Sequence, residues 1–306
     1  MVSRRAPPGA LDYALLLGLA ILWGMAFPLS KVAVEGYPPI TLTLSRQIVA
    51  VFCLLILFVA LRRAWRRPTS HELLLIAVCS VFGSVLPFTL INWGVERVDS
   101  GLAAILMGFM PLLTIVLAHI FTHDEKLSLP KLVGVLMGLA GLCLLFWPAL
   151  TIGLDTVWRQ LALIGAAICY AVNALVLRGL THWPPLVLLV YIGFGTLALL
   201  VPMSFLLESP LAIDPTMQQT IAMIALGIVA YTLGAFFMFA IIDRQGASFF
   251  GQINLLVPVA GVFLGALFLG ERPGWNALAA LVIIVSGVVV ARLKFSGLAP
   301  LKRKES

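Results

Sequence analysis

Long apolar stretches follow one another along the whole chain, separated by short polar connections. Apolar residues within them do not alternate with polar ones, as the run from Leu278 to Val290 illustrates, which favours helices over the strands of a membrane barrel. Each stretch has close to the roughly 20 residues that a helix needs to cross the ~30 Å hydrocarbon layer. The pattern predicts ten membrane-spanning helices, at about 12–33, 40–61, 73–95, 99–122, 132–149, 158–178, 185–207, 217–242, 246–269 and 275–295.

Composition supports the same class. Hydrophobic residues make up 61% of the chain and charged residues only 11%, which is too little polar surface to cover a water-soluble core. The predicted fold class is therefore an all-α integral membrane protein with ten transmembrane helices.

The chain also aligns with itself at an offset of 147 residues. The charged pair Glu96-Arg97 falls on Asp243-Arg244, and Pro111 falls on Pro258. At this offset or one residue less, further matches are Trp23 with Tyr170, Lys31 with Arg178, Glu125 with Glu271, and Gly141 with Gly287. The pattern predicts a duplication, with a first repeat of five spans in residues 1–150 and a second in residues 151–306. An odd number of spans inverts the second copy in the bilayer, and inverted repeats are typical of transporters.

The basic residues predict the orientation. Fifteen of the 20 lysines and arginines fall in the two tails and the even-numbered connections, four fall on the opposite side, and Arg46 lies within a span. Such an excess marks the cytoplasmic side. We therefore expect a multi-pass protein of the cell inner membrane with both termini cytoplasmic. The same asymmetry accounts for the net charge of +7, so the charge does not indicate nucleic-acid binding.

Several motifs recur in a fixed order. They are the segment 21–27, the pair Ser45-Arg46, the prolines Pro111 and Pro258, the endings Asp124-Glu125-Lys126 and Gly270-Glu271-Arg272, and the glycines Gly141 and Gly287. This set resembles the drug/metabolite transporter superfamily, in its ten-span EamA-type branch of amino-acid and metabolite exporters. The resemblance covers nearly the whole chain and implies two inverted five-helix repeats around a central cavity. It implies that spans one, three, four, six, eight and nine line the cavity, with spans five and ten as outer supports.

The second half departs from this pattern at two places. Tyr170-Ala171 stands where the first half has Trp23-Gly24, and Gly193 or a neighbour stands where it has Arg46. The two halves therefore differ in some of their side chains but share the same order of motifs.

The ionisable residues narrow the substrate class. All carboxylates fall at span ends or in loops, which disfavours exchange of cations for protons on a membrane-buried acid. Arg46 is the only basic residue well inside a span. One such residue disfavours multiply charged sugar phosphates.

The aromatic and amide side chains remain as candidates for recognition. The candidate substrate-binding residues are Trp23, Phe27, Phe88, Asn92, Trp93, Tyr170, Asn173, Tyr231 and Asn254. Amides and hydroxyls can hold an amino-acid zwitterion, and rings offer a face to an apolar or cationic group. Packing and bonding between helices compete with recognition at every one of these positions.

Three further residues are predicted to be structural. Arg46 is expected to tie span two to a backbone carbonyl or to an acid at a helix end, and its alternative role is to anchor a substrate carboxylate. Glu125 and Glu271 are each expected to hold the end of a neighbouring helix and so limit its tilt.

Candidates for coupling and motion come from histidine and proline. His119 is the only span residue that titrates near neutral pH, which makes it the candidate proton site. Pro111 and Pro258 remove backbone hydrogen bonds inside matching spans and are the predicted hinges. His119 and His123 share a helix face, but two histidines at a helix end do not make a metal site, and we expect no metal and no cofactor.

The sequence thus predicts a transporter that exports or exchanges small amphipathic metabolites, foremost neutral and aromatic amino acids, by facilitative alternating access. The alternatives are a multidrug or nucleotide-sugar carrier of the same superfamily and, from another class, a membrane enzyme or lipid-handling protein. We expect no enzyme, because no nucleophile with a base and no acid cluster occurs at one depth. The expected partners are a small-molecule substrate and the lipid bilayer, without nucleic acid. Monomer and homodimer are both compatible with the sequence.

Overall fold

The computed structural model describes residues 7–122 and 127–293. This part of the chain is helical throughout, without strands, and holds ten helices long and apolar enough to cross a membrane. We label them α1 (Ala10–Ala33), α2 (Pro39–Ala60), α3 (Ser70–Val95), α4 (Ser100–Phe121), α5 (Leu129–Thr151), α6 (Leu154–Leu180), α7 (Pro185–Leu207), α8 (Met217–Gln245), α9 (Ala247–Leu269) and α10 (Trp275–Arg292). The predicted fold class is confirmed.

Several helices depart from regular α-geometry inside the membrane. α3 contains a π-helical segment at Val81–Val85, and α8 contains one at Leu226–Leu233. α4 is α-helical to Met107 and again from Met110, and α9 is interrupted between Phe250 and Ile253. α6 ends in a 3₁₀ turn at Leu177–Leu180. These irregular segments lie next to the residues described in the following section.

The helices pack in a defined set of pairs. α5 runs along α10, α1 along α9, and α2 along α7, while α6 packs against both α3 and α4. At the crossing of α5 and α10 the backbones touch, because a Cβ atom at Gly287 would lie 2.7 Å from the carbonyl oxygen of Gly134. Small residues at such crossings are what close helix packing in a membrane requires.

Large apolar side chains point outward along the bundle. Phe52 and Phe263 on α2 and α9 are both 64% exposed, and Val282 on α10 is exposed to the same extent. Since the hydrocarbon layer is as apolar as these side chains, their exposure carries no penalty there. Buried polar residues such as Arg46 and Asn92 lie inside the bundle instead.

Candidate functional site

Arg46 lies at the centre of a cluster contributed by four helices. Its guanidinium carbon is 3.9 Å from the centroid of the Phe88 ring of α3. The Phe88 ring in turn makes edge-to-face contacts with Tyr170 of α6 and Tyr231 of α8, with centroids 6.1 Å and 6.2 Å apart. We call these four residues the central cluster. It brings together three of the predicted substrate-binding residues and the arginine of α2.

The rings of the central cluster are only partly buried. Phe88, Tyr170 and Tyr231 face one another from three different helices, yet each keeps part of its surface accessible. This remaining accessible surface makes the cluster the candidate site for an apolar or aromatic group.

The irregular helices bring the cluster together. Tyr231 lies in the π-helical segment of α8, and Phe88 follows the π-helical segment of α3 by three residues. A Cβ atom at Gly227 would lie 2.7 Å from the carbonyl oxygen of Arg46, so only glycine lets α8 lie this close to α2. Single π-helical turns are common at functional sites because they shift side chains out of the α-helical register.

The guanidinium of Arg46 has no oxygen partner in the described residues 7–122 and 127–293. Its side chain is only 4% exposed, and its close contact is the face of the Phe88 ring. Burying an arginine in a membrane costs about 2.5 to 3.5 kcal/mol on insertion scales, and a cation–π contact recovers about 0.5 to 2 kcal/mol. The tie to a carbonyl or an acid that the sequence suggested is not seen here, which favours the alternative role as an anchor.

Buried amides surround the central cluster. The amide of Gln47 lies beside the Tyr231 hydroxyl, together with the side chain of Ser84. A Cβ atom at Gly83 would lie 2.8 Å from Oδ1 of Asn173, so this predicted amide packs against the π-helical segment of α3. Both oxygens, Oε1 of Gln47 and Oδ1 of Asn173, are buried without a hydrogen-bond donor from the described chain. Both oxygens are enclosed by the surrounding helices in this structure.

Asn92 is placed differently from Asn173. It is fully buried, and its amide nitrogen donates a hydrogen bond to Oγ1 of Thr43 at 3.0 Å, which links α3 to α2. Thr43 in turn donates to the carbonyl oxygen of Pro39 at 2.8 Å. In this structure Asn92 acts as a link between helices, and its predicted contact with substrate stays a prediction.

The aromatic candidates of α1 belong to different packing groups. Trp23 contacts Phe250 of α9 edge to face at 6.0 Å. Phe27 is buried in the apolar core against which Tyr170 also packs. Phe27 therefore shares a packing group with one member of the central cluster.

Two further candidates lie toward the ends of the bundle. Trp93 lies under the guanidinium of Arg159, 4.3 Å from the ring centroid, two residues before the end of α3. Asn254 donates to the carbonyl oxygen of Gly251 at 3.3 Å, next to the interruption of α9. The structure brings neither residue into contact with the central cluster.

Carboxylates bind the starts of helices at the end of the bundle that holds the loops after α1, α3, α5, α7 and α9, which we call the odd-loop end. Glu271 accepts hydrogen bonds from the backbone N–H groups of Ser100 (2.7 Å) and Gly101 (2.9 Å) at the start of α4. Glu208 accepts from the N–H group of Thr41 (2.7 Å) at the start of α2. Free N–H groups and the helix dipole both favour an anion at this position. Glu125, which matches Glu271 in the repeat, lies outside the described residues.

Basic residues complete the odd-loop end. Lys31 donates to the carbonyl oxygen of Val98 at 3.0 Å, and Arg159 forms an ion pair with Glu96. These bonds join α1 and α6 to the end of α3. Sequence analysis missed the roles of Glu208 and Arg159, because nothing in the spacing of span-end charges shows which distant helix each one reaches.

The opposite end, which we call the even-loop end, is also tied by ion pairs. Asp12 of α1 binds Arg244 at the end of α8 at 2.6 Å. Glu72 accepts from Arg66 (2.9 Å) and Trp183 (2.9 Å) and completes a capping box at the start of α3. The Thr69-x-x-Glu72 spacing is the one sequence signal that would have found this anchor.

The proton candidate lies away from the central cluster. His119 is exposed in the last turn of α4, and its Nδ1 accepts a hydrogen bond from the N–H group of Leu127 at 3.2 Å. It therefore sits at the even-loop end rather than in the central cluster. Its role in coupling stays a prediction.

The matching prolines have unlike surroundings. Pro111 begins the second part of α4, directly after the break at Gly108. Pro258 lies within an unbroken helical segment of α9, six residues after Gln252. A Cβ atom at Gly108 would lie 2.7 Å from Cγ of Pro258, so the Pro258 ring fills the space beside the break in α4.

A small cavity lies at the odd-loop end. It has a volume of about 110 Å³ and is lined by Asp99, Leu102, Val262 and Glu271, among others. Small-molecule sites usually have volumes of about 300 to 1,000 Å³. This cavity therefore suits a few water molecules rather than a metabolite.

Comparison with known proteins identifies the family. The EamA-like transporter family matches residues 11–147 and, a second time, residues 157–293. The chain belongs to the EamA-like transporter family. It is accordingly a multi-pass membrane transporter, and the family points to transport rather than to enzymatic activity.

Relatives of the EamA-like family match over nearly their whole length. An uncharacterized transporter, YvbV of Bacillus subtilis, is 25% identical over 92% of both chains. A probable terminal-alkyne amino-acid exporter of Streptantibioticus cattleyicolor is 27% identical over 93% of this chain and 94% of its own. One crystal structure is similar with a TM-score of 0.65 at 22% identity, covering 93% of this chain and 98% of that one. This last likeness concerns the fold alone.

Proposed function

We propose that the protein exports or exchanges small amphipathic metabolites, foremost neutral and aromatic amino acids, across the inner membrane without coupling to a proton gradient. The observation that carries the proposal is the central cluster, in which the buried Arg46 contacts Phe88, and Phe88 contacts the partly accessible rings of Tyr170 and Tyr231. Three aromatic rings beside one cation suit a molecule that has an apolar part and one anionic group.

The absence of a deep carboxylate supports facilitative transport. In the described part of the chain the acids that make ion pairs, such as Asp12, Glu72 and Glu96, lie at the two ends of the bundle. A proton-coupled carrier needs a titrating group that binds substrate and proton at the same depth. The relative named as a probable amino-acid exporter supports the substrate class.

Alternating access between two inverted repeats is part of the proposal. The family matches the chain twice, and two local features recur at the offset of 147 residues. The capping box of Thr69 and Glu72 recurs at Thr216 and Gln219, and the π-helical segment of α3 recurs in α8. Two copies that expose the same site to opposite sides in turn are the known way in which such repeats transport.

Counterflow in liposomes tests the proposal. The purified protein is reconstituted with a panel of radiolabelled neutral, aromatic, acidic and basic amino acids, with and without an imposed pH gradient. We expect exchange of neutral and aromatic amino acids at rates that the pH gradient does not change. Exchange driven by the gradient would contradict facilitative transport, and movement of nucleotide sugars or aromatic drugs alone would replace the substrate class.

A further inference from the structure

We infer that Arg46 binds the carboxylate of the substrate, so that the transported class is defined by one carboxylate on an apolar or aromatic body and does not require an amino group. This inference rests on the proposed function and names the chemical feature that the same site recognises. It follows from the charge, the contacts and the surroundings of Arg46.

Among the described residues Arg46 has neither a counterion nor a carbonyl partner, unlike two other basic residues of the bundle. Arg159 pairs with Glu96, and Lys31 binds two backbone carbonyl oxygens. Arg46 is 4% exposed and has no acid or carbonyl oxygen in hydrogen-bond range among residues 7–122 and 127–293. A buried cation without a counterion is a strong site for an anion that enters from outside.

The contact with Phe88 uses no oxygen acceptor. The guanidinium carbon stands 3.9 Å from the Phe88 ring centroid, and an aromatic ring has no carboxylate or carbonyl oxygen to occupy the N–H donors. Arginine donates hydrogen bonds in the plane of that group, along its edges, and a carboxylate fits two of these donors at once. Phe88 therefore holds the guanidinium in place without using the donors that a carboxylate needs.

The other residues of the cluster suit an uncharged body. Tyr170 and Tyr231 make edge-to-face contacts with Phe88 and keep part of their surface accessible. The central cluster supplies one positive charge, which a single carboxylate neutralises. A phosphate monoester carries more than one negative charge at neutral pH and would keep an excess charge in the membrane.

The described surroundings of the cluster do not require an amino group. Oε1 of Gln47 and Oδ1 of Asn173 lack a donor from the described chain, but both are enclosed by protein in this structure. No carboxylate belongs to the central cluster. The cluster therefore offers no charged partner that a substrate amine would have to meet.

Competition between matched compounds tests the inference on the unaltered protein. Counterflow of radiolabelled phenylalanine is measured with 3-phenylpropionate, which lacks the amine, and with phenylalaninamide, which lacks the carboxylate. We expect 3-phenylpropionate to compete at concentrations near those of phenylalanine, and phenylalaninamide to need at least about ten times more, because without a carboxylate it leaves Arg46 unpaired. Equal competition by both compounds would overturn the anchor.

Substitution of Arg46 gives the second test. R46Q should raise the KM for phenylalanine by about 30-fold or more, the usual effect of removing one member of a buried charge pair. It should also abolish the preference for 3-phenylpropionate over phenylalaninamide, which a merely structural arginine would not do. R46K should keep the preference in part. R97Q, which removes an exposed arginine at the odd-loop end, is the matched control and should keep both KM and preference.

Binding separates this inference from the proposed function. Thermal unfolding of the purified protein is followed with and without 3-phenylpropionate, together with R46Q and R97Q. Stabilisation of the unaltered protein and of R97Q, but not of R46Q, supports the anchor even if no compound is transported, an outcome that would overturn only the proposed function. Transport without any preference for a carboxylate would keep the proposed function and overturn the anchor. If R46Q does not fold, the competition experiment on the unaltered protein decides.

Discussion

At the scale of the residue, the odd-loop end depends on carboxylates that bind the first N–H groups of another helix. Glu271 does this for α4 and Glu208 does it for α2. Each helix start has N–H groups without helical partners, and the carboxylate satisfies two of them while it favours the helix dipole. From the repeated pattern, the sequence predicted that Glu271 holds the end of a neighbouring helix. Only the structure shows that this helix is α4.

Gly265 makes room for the carboxylate of Glu271. Substitution of Gly265 therefore tests whether this carboxylate stabilises the protein. A Cβ atom at Gly265 would lie 2.5 Å from Oε2 of Glu271 and 2.7 Å from Oγ of Ser100. We expect Gly265→Ala to displace the carboxylate and to lower the free energy of unfolding by about 1 to 3 kcal/mol, measured as a lower thermal midpoint in detergent. Gly165→Ala is the control, because its Cβ would meet only Leu90 at an ordinary 3.4 Å. Equal midpoints for the two variants would contradict the role of the anchor.

Asp99 lies beside the same carboxylate, and its pKa predicts that the stability of the protein depends on pH. Burial and repulsion by Glu271 raise the pKa of Asp99 above its ordinary value of 3.8, against the attraction of Lys31. A raised acid pKa means that the protonated form is preferred in the folded state, so stability is lost as the pH rises through the folded pKa. Asp99→Asn should therefore unfold at a higher temperature than the unaltered protein at pH 7.

The difference should disappear below about pH 3.8, where both side chains are uncharged. Thermal unfolding measured across this pH range checks the sign. A lower midpoint for Asp99→Asn at pH 7 would mean that the attraction to Lys31 outweighs burial and the repulsion by Glu271.

At the scale of the element, the sequence predicted all ten spans and most of their ends within a few residues. The predicted span at 217–242 corresponds to Met217–Gln245, and that at 246–269 to Ala247–Leu269. Hydropathy measures only whether a residue prefers lipid, so it located the spans well. It carries no signal for hydrogen-bond register, and the π-helical segments at Val81–Val85 and Leu226–Leu233 were not predicted.

The proposed hinge at Pro258 is a property of α9 and α4 together. The Pro258 ring lies beside Gly108, where α4 breaks. We expect Pro258→Ala to restore a backbone hydrogen bond, stiffen α9 and reduce the exchange rate several-fold, while KM changes less than about twofold. Counterflow rates and KM measured on the same preparation check this.

Pro202→Ala is the matched control for the hinge. Pro202 is also inside a helix, α7, but its side chain is exposed on the outside of the bundle. Its substitution should leave the exchange rate unchanged. An unchanged rate for Pro258→Ala as well would remove Pro258 from the mechanism.

At the scale of the whole molecule, the asymmetry of the basic residues predicts which end faces the cytoplasm. The even-loop end should be cytoplasmic, because it holds most of the lysines and arginines. Single cysteines at Ser209 in the loop after α7 and at Thr181 in the loop after α6 test this, in a protein with its four natural cysteines replaced. Labelling of intact cells with a membrane-impermeant thiol reagent should modify Ser209→Cys, and Thr181→Cys only after permeabilisation. The reverse labelling would invert the predicted topology.

The sequence predicted which residue types could form the candidate site, but not which of these residues lie together. Phe88, Tyr170 and Tyr231 were chosen because rings and amides were the chemistry left in the spans, and the structure brings these three together around Arg46. Asn92 belonged to the same inventory, but its amide links α3 to α2. A residue type at a given depth does not say which neighbour it meets.

The sequence by itself determined the ten helices and the two repeated patterns. A span needs a continuous run of apolar residues, and a repeat shows as matching residues at a fixed offset, so both can be recognised along the chain. It also favoured the cytoplasmic side, through charge. Only the tertiary structure decided that Arg46 has a ring, and no acid of the described residues, as its neighbour, and that carboxylates bind the starts of distant helices. These contacts join residues that are far apart in the chain, and their identity depends on rotation and packing of whole helices, for which a single sequence holds no periodic signal.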